Sequence, residues 1–176
     1  MRFTETELKG AYVVEIERRT DSRGFFGRGW CKREFEAQGL NSELAQVNIG
    51  FSNKKGTLRG MHYQVPPYQE AKLVRCTLGA IYDVIIDLRR GSSTYRQWFG
   101  LELMADNHRM LYVPEGCAHG YQTLADDTEV SYQTSQFYAP DCARGVRYDD
   151  PAFGISWPSV ARVISDADRN WPSYTP

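Results

Sequence analysis

The chain has 176 residues, 41% hydrophobic and 13% aromatic, which is enough apolar surface for one globular domain spanning residues 1–176. Lys and Arg number 21 against 22 Asp and Glu, and the net charge of -1 offers no basic field for gathering phosphate backbones, so nucleic acid is not an expected partner. No apolar run approaches the ~20 residues that cross a bilayer, and the opening MRFTETELKG lacks a signal-peptide stretch; a cytoplasmic protein without a membrane partner is expected.

In chain order, polarity alternating with a period of two predicts a strand at residues 12–16. A helix follows at 32–38, then strands at 45–52, 72–77, 81–88, 97–104, 110–113 and 128–134, with a further helical turn near Val160. The clearest strand is 81–88, where Tyr82, Val84, Ile86 and Leu88 face one way and Asp83 and Asp87 the other, as on a half-buried sheet. Turn chemistry at Gly79 and at residues 90–93, 106–107, 114–116 and 126–127 separates these segments. Many short strands without long intervening helices predict an all-β antiparallel sandwich or barrel. Strand propensity alone leaves immunoglobulin-like and jelly-roll sandwiches open. The Cys-Trp-Cys spacing of the former is absent, and a jelly-roll barrel, whose mouth can hold a ligand, is the expected fold.

Cys31, Cys76, Cys117 and Cys142 are widely and irregularly spaced, with no C-x-x-C pair. They are expected to be reduced and mostly buried, and none carries a nucleophile signature. Of three histidines, His108 falls in a turn, while His62 in GTLRGMHYQ and His119 in PEGCAHGYQTL stand in glycine-rich polar settings. Histidine is the natural proton carrier near neutral pH, although a lone one is more often structural. Many jelly rolls bind a metal through a close histidine pair with a carboxylate. No H-x-H or H-x-x-x-H occurs here and no Glu closely follows His62, so a site without metal or other cofactor is expected. Arg59 lies three residues before His62, and Lys72 begins a period-two strand whose other face holds Arg75. Cations beside a neutral base suit an anionic substrate that gains charge as it reacts, such as a phosphorylated sugar whose carbonyl becomes an enolate; a solvated strand edge is the plainer reading of each.

Taken together, GTLRGMHYQ, AKLVRCTLGAIYDVIIDLRRGSSTYRQWFG and YVPEGCAHGYQTL resemble the dTDP-4-dehydrorhamnose 3,5-epimerase family. DSRGFF at 21–26, QVN at 46–48 and ISDADRNWP at 164–172 extend the resemblance, in order, over nearly the whole chain. It implies a metal-free cupin jelly roll that works as a homodimer and inverts stereocentres flanking the 4-keto group of a nucleotide-diphosphate-linked 6-deoxyhexose. By the same resemblance His62 is the base, oriented by Asp168; Tyr132 is the acid on the opposite face; Lys72 stabilises the enolate. Arg59 and His119 hold the diphosphate or sugar, and Gln46, Asn48 and Tyr138 line the pocket. Arg23 and Phe26 cross to the partner's nucleotide, with core packing the plainer reading of Phe26 and Tyr138. The sequence departs from the family at Arg28, where Glu is frequent near the nucleotide, and at CARGVRYDD around Arg144. These departures leave a GDP- or CDP-linked sugar, or inversion of one carbon, open. A nucleotide-sugar-binding cupin without activity is the alternative from another class.

Overall fold

Alternating strand sequences organise the described residues, 1–175 of a computed structural model, into two antiparallel sheets laid face to face. The strands are Arg2–Glu5 (β1), Tyr12–Glu15 (β2), Arg19–Asp21 (β3), Gly24–Phe26 (β4), Gln46–Ser52 (β5), Thr57–Gln64 (β6) and Lys72–Leu78 (β7). Ala80–Asp87 (β8), Trp98–Met104 (β9), Arg109–Val113 (β10), Cys117–Thr123 (β11), Thr128–Thr134 (β12), Ala143–Gly145 (β13) and Val163–Ile164 (β14) complete the set. Two short helices, Lys32–Ala37 (α1) and Asp166–Arg169 (α2), accompany them. One sheet runs β1-β2-β10-β7-β12-β5 and the other β13-β6-β11-β8-β9, with β14 added in parallel to β6. This is the expected all-β jelly roll. The β3–β4 hairpin forms a separate two-stranded sheet outside both. Among the described residues no helix is long and apolar enough to cross a membrane.

Between the sheets, Val74, Cys76, Ile81, Ile85, Leu103, Leu111 and Val130 form a buried apolar floor. Polarity rises from that floor in steps set by register. Cys76 and Gly50 flank Val130, Val74 and Asn48 flank Tyr132, and Lys72 and Gln46 flank Thr134. Each step of two residues therefore carries the interior from hydrocarbon towards an open polar mouth. Outside the first sheet, Val14, Leu73, Met110 and Tyr112 pack against Phe35 of α1. Outside the second, Met61, Val84, Ile86 and Ala118 lie beneath Val146 and Phe153, with Trp157 packed against them.

Strand 81–88 departs from the half-buried reading. Tyr82, Val84, Ile86 and Leu88 join the outer core, while the opposite face points into the barrel, leaving Asp83 and Asp87 fully buried with Ile81 and Ile85. The aspartates tolerate this because each has a partner. Arg89 donates to Asp87, whose carboxyl burial would raise but these bonds hold down at about 2, and His119 meets Asp83. The expected turn near Val160 is not helical, and the C-terminal helix lies later, at α2. Strands β6 and β11 escaped the alternation pattern because glycines and polar residues dilute it.

Candidate active site

His62 owes its position to an irregularity. Arg59 and His62 are three residues apart, so on a regular strand they would face opposite ways. In the β6–β11 ladder, however, Arg59 pairs with Tyr121 and His62 with His119, giving β6 one residue more than β11 over that interval. The bulge returns both side chains to the barrel and sends Met61 into the outer core. It needs glycine on both strands: Gly60 has φ +137, a Cβ there would lie 2.5 Å from Gly120 Cα, and one on Gly120 would lie 2.7 Å from the Arg59 carbonyl.

Asp168 reaches this point from the far end of the chain. β14 pairs with Thr57 and Leu58 at the start of β6, bringing α2 alongside the bulge, and Ser165 caps α2 by accepting from the Asp168 N–H at 3.0 Å. The Asp168 carboxylate then takes the Gly60 N–H on Oδ2 at 3.2 Å and His62 Nε2 on Oδ1 at 2.6 Å. Burial would raise this carboxyl, but the His62 hydrogen bond and charge, with the Gly60 N–H and Ser165 hydroxyl, outweigh it and hold it below its ordinary range. With Nε2 committed to Asp168, Nδ1 of His62 is left to accept a proton.

The first sheet faces this pair with Lys72, Tyr132, Gln46 and Asn48. Lys72 is buried, its Nζ 3.1 Å from Glu70 Oε1 and 3.3 Å from the His62 carbonyl oxygen. Burial raises the Tyr132 phenol, helped by the charge of Glu70 and opposed by that of Arg59, so it stays protonated at neutral pH. Arg59 donates to the Phe51 carbonyl at 3.0 Å and to Ser52 Oγ at 3.3 Å, tying the two sheets together beside the mouth. His119 lies opposite His62 in the ladder, its Nε2 2.7 Å from Asp83 Oδ1.

The structure thus brings His62, Asp168, Tyr132, Lys72, Arg59, His119, Gln46 and Asn48 to one mouth. Tyr138 stands exposed at its rim, its backbone N–H donating to Gln46 Oε1 at 2.7 Å, so the core reading of Tyr138 is corrected. Phe26 is 70% exposed, which overturns its core reading too. It sits on the projecting β3–β4 hairpin, beyond which Arg28 pairs with Glu34; Arg23 in the hairpin turn pairs with Asp21 of the same hairpin. Within one chain these three do not join the His62 group. Sequence reading missed Asp83, taken as solvent-facing, and Trp171, whose ring stands edge-on 6.3 Å from His62. Ile81 and Ile85, two positions to either side of Asp83 and so on its own face, were the available signal. All four cysteines are free, and burial pushes Cys76 up to about 11 and Cys117 up to about 12, far from nucleophile chemistry.

A histidine–carboxylate pair faces a phenol and an ammonium across the jelly-roll mouth, groups that between them can accept a proton on one side of a bound molecule and donate one on the other, the chemistry of the isomerase class. The family model described as dTDP-4-dehydrorhamnose 3,5-epimerase matches residues 5–175, and the chain belongs to that family. A curated dTDP-4-dehydrorhamnose 3,5-epimerase from Shigella flexneri is 40% identical over 175 residues, covering 99% of this chain and 96% of its own. The crystal structure of the Elizabethkingia anophelis enzyme of that name superposes with a TM-score of 0.96 at 36% identity, covering 99% of this chain and 96% of that one. The Bacillus anthracis enzyme, solved with TDP and PPi bound, gives 0.94 at 40% identity, covering 98% and 99%.

Proposed function

We propose that this protein inverts C3 and C5 of a dTDP-linked 4-keto-6-deoxyhexose, converting dTDP-4-dehydro-6-deoxyglucose to dTDP-4-dehydrorhamnose. The observation that carries the reading is the His62–Asp168 pair on one sheet opposed by Tyr132 and Lys72 on the other. His62 Nδ1 takes the proton from the carbon beside the ketone, and Asp168 stabilises the resulting imidazolium. The electron pair moves onto the C4 oxygen, where the Lys72 ammonium meets the growing charge. Tyr132 then delivers its hydroxyl proton to the opposite face of the carbon, inverting it. His62 releases its proton to solvent and the phenolate regains one, which resets the site for the second carbon.

The reading takes the enzyme as a cytoplasmic homodimer of a single-domain chain. Val47, Ile49 and Phe51 line the exposed outer face of edge strand β5, and each large apolar side chain left in water forgoes about 1.5–3 kcal/mol of burial. A second copy covering this face supports a place for the 21–26 segment in the partner's site, with Arg23 and Phe26 on its nucleotide and Arg28 nearby. Incubation in heavy water with the 4-keto-6-deoxyhexose on dTDP, GDP or CDP tests the reading. Two deuterons with inversion on the dTDP sugar are expected. One deuteron would make it a mono-epimerase, and none with any carrier would leave a binding protein, for which an acid and a base on opposite faces serve no purpose.

A further inference from the structure

Lys72 is unusual among the cations of this chain in being buried: its side chain is 8% exposed, and that of its partner Glu70 12%. An ammonium taken out of water favours its neutral form unless a counter-charge stays beside it. Glu70 is that charge, and it is held in place. Gln64, itself buried, directs Nε2 at Glu70 Oε2 at 3.2 Å, the Tyr68 carbonyl at 2.8 Å and the Phe137 carbonyl at 3.1 Å, while its Oε1 accepts from the Ala139 N–H at 2.7 Å. The segments on either side of the mouth are further stitched by the Ala71 N–H donating to Ser135 Oγ at 2.8 Å. The carboxylate therefore has little freedom to swing away.

We propose that Glu70, fixed by Gln64, is a positioning residue that keeps the Lys72 ammonium charged and aimed at the mouth. The proposal rests on the epimerase reading for its consequence but not for its physics. Around Lys72 stand Glu70, His62 from β6 with Asp168 behind it, Tyr132 from β12, and Glu43 and Tyr112, which line the same cavity; Arg59 faces Tyr132, and β10 pairs Val113 with Lys72. Glu70 is the one whose charge both touches Lys72 and is shielded from water. Its field also reaches Tyr132, so a test must separate the two routes.

The test compares wild type with Glu70→Gln, Glu70→Asp, Lys72→Met and the Glu70→Gln/Lys72→Met double variant in the heavy-water exchange reaction across pH. Glu70→Gln is expected to lower kcat at neutral pH by about ten- to a hundredfold with KM little changed, and to move the alkaline limb of kcat to lower pH. Glu70→Asp, which keeps the charge, should leave that limb in place, and the double variant should be no slower than Lys72→Met alone. Losses that multiply in the double variant would mean that Glu70 acts through Tyr132 or the fold, and would overturn the proposal, as would an unmoved limb in Glu70→Gln. Nitrogen-15 NMR of the Lys72 ammonium, identified by its absence in Lys72→Met, gives a readout independent of turnover. Its signal should vanish at lower pH in Glu70→Gln than in wild type; coincident titrations would sink the proposal. If wild type itself exchanges no hydrogen, the epimerase reading fails and the NMR comparison still decides the role of Glu70.

Discussion

Two histidine–aspartate pairs stand side by side in this barrel, joined across one rung of the β6–β11 ladder. Their bonds are nearly equal, 2.6 Å for His62–Asp168 and 2.7 Å for His119–Asp83, yet their surroundings differ. The His62 side chain is 46% exposed, whereas that of His119 is 9% exposed and Asp83 is fully covered. Asp168 comes from a C-terminal helix, while Asp83 comes from β8, hydrogen-bonded alongside β11. The same pair of groups is therefore set in two environments suited to different work. His62 can meet a substrate carbon and exchange its proton with water, which a general base must do on every turnover. His119 is walled in on a rigid sheet and suited to holding a substrate group still. Among the described residues no protein group hydrogen-bonds Asp83 Oδ2, and a buried carboxylate oxygen left without a partner costs about 1–3 kcal/mol.

If exposure separates base from holder, His62→Asn should reduce deuterium incorporation by roughly a thousandfold, the scale of a general base, without altering the circular dichroism spectrum. Full incorporation in that variant, with loss in His119→Asn, would exchange the two roles. Asp168→Asn comes next. It preserves shape but removes the charge that stabilises an imidazolium, and a loss of about a hundredfold in kcat is expected; unchanged kcat would reduce Asp168 to a helix-docking residue. Asp83→Asn should cost about tenfold in kcat/KM, mostly through KM, because it loosens a substrate-holding ring and leaves the base intact. A loss matching that of His62→Asn would mean that the buried pair performs the proton transfer.

The smallest effect concerns acid stability. Asp168 is held below its ordinary range in the fold, so its ionised form contributes stability above about pH 4, and that contribution fades as pH falls through the lowered value. Urea midpoints of wild type and Asp168→Asn should therefore differ at neutral pH and draw together in acid. A gap of constant size would show that the pair contributes nothing to folding.

Much of this contrast was legible in the sequence, and the illegible part has a physical cause. Alternation in β5, β7, β8, β10 and β12 marked the strands because one face of each is reliably apolar. It failed on β6 and β11, whose glycines serve a close approach instead of a core. It also sent Asp83 to solvent, because periodicity reports that two faces differ without saying which is wet. On β8 the outer face is covered as well, and the face that carries the two aspartates is the inside. Asp168 and His62, 106 residues apart, meet through the parallel addition of a two-residue strand, a contact that no local pattern encodes. The motif resemblance supplied it. Glu70 and Gln64 lay between the recognised segments or within them without any feature that distinguishes them from ordinary polar residues.

The extra residue in β6 has a consequence for how this site can change over time. The direction of Arg59 relative to His62 depends on whether the count between them is odd or even, so adding or removing one residue there turns one of them away from the cavity. The strand cannot slide to compensate, since β11 grips one edge and β13 and β14 pin the other at its two ends. Diversification at this mouth is therefore confined to exchanging side chains at fixed spacing, while length variation is pushed out to the loops. A gap of two residues between this arginine and this histidine is in effect a parity mark, set where two glycines meet across the bulge.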